Sequence, residues 1–150
     1  MNVRFLLFTA LVSLLEGCAS TTVPASQRAS DECVLVYGAT KVQELLAAGV
    51  GPTLVYVRAD WAAAGVFKND TYVPSPQFLK TIEGTQCIVG DVTGSGSNEL
   101  IKYFQSDGIP FFVLLNSDGS KVAILPWGRD FDEFRSWFAS AKLLLPGTVK

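Results

Sequence analysis

The groups in this 150-residue chain best suited to chemistry are three cysteines, Cys18, Cys33 and Cys87; there is no histidine. Without imidazole the chain lacks the commonest general base at neutral pH and the commonest transition-metal ligand. A Ser-His-Asp or Cys-His centre cannot be assembled from it alone, and a His-containing zinc site is excluded. Asp60, Asp70 and Asp91 do not have the ligand spacing of a metal loop, so neither a metal nor a cofactor is expected. Gly94-Ser95-Gly96-Ser97 has no P-loop lysine and reads as a flexible loop. The formal net charge is −2, with Lys and Arg scattered rather than clustered. No phosphate-tracking surface results, and nucleic acid is not an expected partner. With 49% apolar and 17% charged residues, the composition is that of one globular domain with a core.

An odd cysteine count is awkward in an oxidising compartment, and the first cysteine lies in a distinctive place. Arg4 supplies a positive start, and Phe5 to Leu15 is apolar except for Thr9 and Ser13. At about eleven residues this run is short for a spanning helix, which needs roughly 20, and it suits the h-region of an export signal. Leu15-Glu16-Gly17-Cys18 then resembles the bacterial lipobox that marks cleavage and lipidation of the cysteine, with Glu16 departing from the usual small or apolar residue. The alternative is an ordinary signal peptide cut after Ala19 or Ala25. The expected organisation is a leader over 1–17, lipidated Cys18 with a Ser/Thr/Ala-rich tether over 18–30, and a domain over 31–145. If Cys18 carries lipid, Cys33 and Cys87 remain as an even pair. This implies a bacterial envelope protein, lipid-anchored and facing the periplasm, at the outer membrane in a two-membrane cell.

The domain must be built from alternating elements. Cys33 to Tyr37, Thr53 to Val57, Cys87 to Val92, Phe111 to Leu115 and Lys121 to Leu125 are short apolar runs expected to be strands. Lys41 to Ala48 places Val42, Leu45 and Leu46 at helical spacing. Further helices are expected from Ala62 to Lys68, near Gln77 to Ile82 behind Pro76, and from an Asn98 N-cap to Phe104. The last starts behind an Asp130 N-cap and carries Phe131, Phe134, Trp137 and Phe138 on its apolar face. Ser117-Asp118-Gly119 signals a hairpin. The order βαβαβ, then α, then ββα, predicts an α/β fold: a mixed five-stranded sheet flanked by helices.

That order resembles the thioredoxin-like superfamily. Ala59-Asp60-Trp61 is similar to the strand and turn that deliver the family's Trp-Cys-x-x-Cys, and Gly108-Ile109-Pro110 to its cis-proline loop. Together with the Pro76-Gln77 helix start and Asp91-Val92-Thr93, these features resemble the C-terminal periplasmic domain of the thiol:disulfide interchange protein DsbD. The resemblance covers roughly Cys33 to Ala139. It places the family's two cysteines on Ala62 and Gly65, so the degenerate motif is Ala62-Ala63-Ala64-Gly65, and it places the family's buried acid on Tyr56. Nucleophile, resolving thiol and acid are therefore absent together, and no catalytic residue is expected there.

The resemblance also makes the first and third strands parallel neighbours, with Cys33 and Cys87 near their starts. A structural disulfide, two buried thiols, and a catalytic pair are the three readings of these residues. Neither is expected at a helix N-terminus that would lower its pKa. Trp61, Ile109, Pro110 and Trp127 would border the family's peptide groove, where members hold an extended chain beside the cis-proline. The leading expectation is a redox-inactive module, not an enzyme, that binds another envelope protein or an extended peptide. The alternatives are a thiol oxidoreductase using Cys33 and Cys87, and an accessory lipoprotein of a secretion or conjugation apparatus.

Overall fold

The computed structural model describes residues 32–49 and 51–147. The leader, Cys18 and the tether lie outside the described residues. Five strands form one mixed sheet in the order β1-β3-β2-β4-β5. These are β1 (Val34–Tyr37), β2 (Thr53–Arg58), β3 (Gln86–Asp91), β4 (Phe111–Leu115) and β5 (Lys121–Pro126). β3 pairs in parallel with both β1 and β2; β4 runs antiparallel to β2 and β5. This is the expected sheet, with each strand within a residue or so of its expected limits.

β2 and β4 lie inside the sheet, and residues 54–57 of β2 and all of β4 are buried and apolar because helices cover both faces. Alternation sends Leu54, Tyr56, Phe112 and Leu114 into one core, and Val55, Val57, Phe111 and Val113 into another. The second core is closed by α1 (Ala39–Ala48) and α4 (Ser97–Phe104), through Val42, Leu100 and Phe104. Gly90 makes room for this: a Cβ there would lie 2.7 Å from Cγ2 of Val42.

The first core is closed by α3 (Pro76–Thr81) and α5 (Phe131–Lys142). Its centre is aromatic. Phe134 meets Phe112 at 4.8 Å and Phe78 at 5.0 Å between ring centroids, and Tyr56 stacks on Phe112 at 4.6 Å. Ser75 caps α3 by accepting from the Phe78 N–H, with Pro76 in the first turn. Asp130 caps α5 as expected, in a reciprocal capping box with Glu133.

One expectation is corrected. Asn98 does not cap α4; the N-cap is Gly96, at φ 85°, and Asn98 lies inside the helix. The reason is tertiary, since a Cβ at Gly96 would lie 2.8 Å from the backbone nitrogen of Ala39. Of the three readings for Cys33 and Cys87, the structure shows the disulfide: it joins the residue before β1 to β3, with Cα atoms 4.6 Å apart. The chain-entropy model credits a loop of this length with roughly 4 kcal/mol.

Phe134→Ala should destabilise the domain by about 3–5 kcal/mol, because it opens a cavity where six other rings converge. Urea unfolding would report this as a lowered midpoint; an unchanged midpoint would mean the core is organised around other contacts.

Candidate functional site

The site forms where the chain leaves the carboxyl end of β2. Buried Ala59 is followed by a 3₁₀ turn over Asp60–Ala62, which leads into α2 (Ala63–Asp70). The turn is held from below. The Asp60 N–H donates to Oγ1 of Thr93 at 2.9 Å. The Arg58 guanidinium contacts Asp70, lies 3.1 Å from Asp60, and lies 3.3 Å from Asp91. Burial works to raise the Asp91 pKa. The Thr93 hydroxyl and N–H together with Arg58 outweigh that effect and hold it below the ordinary carboxylate value.

Held this way, the turn presents Trp61, 59% exposed, at the rim of an open groove of about 570 Å³. The expected residues do come together here: Trp61, the Ala62–Gly65 segment, Ile109, Pro110 and Trp127 all line the groove, joined by Lys68 and Gly128. The Ile109–Pro110 peptide bond is cis, as expected. Neither the N–H nor the C=O of Ile109 makes a hydrogen bond among the described residues.

The floor depends on two glycines. A Cβ on Gly65 would lie 2.7 Å from Cδ of Pro110, and one on Gly128 would lie 2.6 Å from Cα of Gly65. Backbone therefore rests on backbone where α2 begins, and no side chain fits between. Asn69, fully buried on α2, accepts from the Arg129 N–H and from the Tyr72 hydroxyl, both at 3.1 Å, tying α2 to the segment after β5.

Trp127 takes the left-handed region at φ 66°. For a bulky residue that costs on the order of 1–3 kcal/mol, and burial does not recover it, because the side chain is 52% exposed. The conformation is fixed by a 2.7 Å hydrogen bond from the Trp127 N–H to the Pro110 carbonyl. The indole passes over Gly108, where a Cβ would come within 3.0 Å of the ring. Its effect is to stand a second indole over the groove.

None of the groove-lining residues carries a thiol or a carboxylate. Tyr56, on which the resemblance places a buried acid, is fully buried and donates its hydroxyl to Oδ1 of Asp70 at 3.2 Å. Burial, reinforced by the Asp70 charge, pushes its phenol far above the ordinary value, so it stays neutral. The disulfide lies at the other end of the sheet, where Cys87 stands beside Leu54 near the start of β2. Among the described residues no group of three or more His, Cys, Asp or Glu side chains is placed to hold a metal ion.

Sequence reasoning missed Lys68, the Gly65–Gly128 contact and the Arg58 network. Lys68 was legible only as part of a helix. Two glycines 63 positions apart carry no local signal of contact.

By sequence, no protein-family model and no curated protein matches this chain. Solved structures do match. The oxidised C-terminal domain of DsbD from Neisseria meningitidis superposes with a TM-score of 0.60 at 19% identity, covering 71% of this chain and 98% of that one. A disulphide isomerase from Xylella fastidiosa gives 0.54 at 26% identity, covering 69% and 89%. A thioredoxin from Thermus thermophilus gives 0.57 at 18% identity, covering 75% and 89%. The chain has a thioredoxin-like fold, similar to the DsbD domain, with a Cys33–Cys87 disulfide and no Cys-x-x-Cys motif.

Gly65→Ala should cost about 1–3 kcal/mol through overpacking against Pro110 and Gly128, read as a lowered melting temperature; an unchanged one would mean the floor yields freely. Asp91 has a lowered folded pKa, so its ionised form adds stability above the ordinary value of 3.8, and that stability is lost as pH falls through the folded pKa. The stability gap between wild type and Asp91→Asn should therefore be full at neutral pH and shrink below 3.8. A gap that stays constant into acid would contradict it.

Proposed function

We propose that this thioredoxin-like domain is a redox-inactive binding module that holds an extended segment of another envelope protein in the groove between Trp61 and Trp127. The observation that carries the reading is a complete groove without its reactive groups. Both indoles, the cis-proline edge and the unengaged Ile109 backbone are present, while Ala62 and Gly65 stand where the fold's reactive sulfurs would be. A strand laid beside Ile109 could exchange backbone hydrogen bonds with it, as in strand addition. The walls are apolar and Lys68 supplies the one ionisable side chain of the lining. The favoured occupant therefore has an apolar or aromatic residue between the indoles and an acidic residue facing Lys68.

The leader and lipobox support a periplasm-facing position with Cys18 as lipid anchor, at the outer membrane where there are two membranes. A module that binds without reacting suits an anchored assembly role, including an accessory part of a secretion or conjugation apparatus. Cleavage chased with globomycin tests the anchor: processing that continues unchanged would leave only a simple signal peptide.

The disulfide favours one second reading, thiol exchange through Cys33 and Cys87. Its distance from the groove weighs against it, because a substrate in the groove would not reach the sulfurs. An insulin-reduction assay separates the two. We expect no turnover; turnover abolished by Cys33→Ser or Cys87→Ser would establish the enzyme instead. Crosslinking in the native envelope tests the binding reading. Trp61→Ala and Lys68→Glu should each lower the yield of a specific crosslinked partner several-fold, whereas an identical set of partners at identical yield would place the interaction elsewhere.

A further inference from the structure

We propose that the Cys33–Cys87 bond is a reducible latch on the edge strand: a dithiol that opens it frees β1 to leave the sheet about Gly38, while the rest of the fold stands. The inference is independent of the groove and rests on how little else secures β1.

Among the described residues β1 is a four-residue edge strand paired on one side only, with β3. Three of its side chains face solvent, with Val34 44%, Leu35 52% and Tyr37 70% exposed. Among the described residues, Val36 is the only side chain of β1 that packs, in part, against a core. Burial therefore contributes little to its docking, and a short edge strand held mainly by backbone hydrogen bonds belongs to the low-stability end of a structure. The two ends of β1 differ in kind. At its start, Cys33 is bonded to Cys87, itself buried in β3. At its end, Gly38 sits at φ 82°, a conformation that suits a pivot, and its N–H donates to the Asp91 carbonyl at 2.8 Å. Immediately beyond, Ala39 and Val42 are buried and anchor α1. Motion would therefore stop at Gly38.

The exchange is an ordinary two-electron step. Cys33 is partly exposed and Cys87 is buried, so a thiolate of the dithiol attacks Sγ of Cys33. The S–S bond breaks, the Cys87 sulfur leaves as thiolate and takes a proton from solvent. The second thiol of the reductant then attacks the mixed disulfide, closing its own disulfide and releasing Cys33, which is protonated in turn. The dithiol is oxidised, and the protein gains two electrons and two protons.

Hydrogen exchange on the full chain, before and after dithiothreitol, tests this, with reduction verified by the mass increase of two hydrogens. Amides of Val34–Tyr37 should exchange at least about tenfold faster in the reduced protein, while β2 and β4 keep their protection. The Cys33→Ser/Cys87→Ser double variant should show the same pattern without reductant, and reoxidation of the wild type should restore protection. Unchanged protection of β1 after verified reduction would overturn the latch. So would loss of protection across all five strands together, or a bond that dithiothreitol fails to open in the folded protein.

Discussion

The arrangement of the site depends on one contact, the meeting of Gly65 with Gly128 and the Pro110 ring. It brings the first turn of α2 onto the loop before β4 and the segment after β5, three stretches far apart in sequence. Trp61 reaches the groove from the turn just before the first of these, Ile109 from the second and Trp127 from the third. A methyl group on either glycine would part them. The hydrogen bond from Trp127 to Pro110 and those of Asn69 to Arg129 and Tyr72 act on the same junction from its edges. Below it, Arg58 gathers three aspartates and fixes the turn that carries Trp61.

This contact bears on chemistry as well as shape. At position 65 backbone and a proline ring occupy the space where a Cβ would begin, so no side chain, a thiol included, fits there. Tyr56 completes the picture. Its hydroxyl is neutral and committed to Asp70, so it gives no carboxylate to move protons beneath the groove. The same floor that leaves no room for a side chain at position 65 brings both indoles to one groove, where we propose that an extended chain binds.

Much of the frame was legible in the sequence because it rests on local rules. The apolar runs of β2 and β4, the Asp130 cap with Glu133 three residues on, Pro76 behind Ser75 and the Ser117-Asp118-Gly119 hairpin each state their structure within a few residues. The resemblance then located Trp61 and the cis bond before Pro110. What escaped was tertiary. Asn98 looks like a better cap than Gly96, but the close approach of Ala39 requires glycine there. The left-handed Trp127 has no signature, since its conformation is imposed by Pro110 and Gly108. The disulfide was one of three readings, because pairing depends on a strand register that cysteine spacing alone does not reveal.

The central claim is that the groove outlived the redox chemistry of its fold as a place for an extended chain. Its most direct test is an amide- and indole-resolved NMR titration with a synthetic extended peptide carrying an aromatic residue and a neighbouring glutamate. The account predicts shifts confined to the indoles of Trp61 and Trp127, the Ile109 amide and the neighbourhood of Lys68, saturating together. Shifts that instead gather on β1 or the disulfide, or an unperturbed Ile109 amide at saturating peptide, would contradict it.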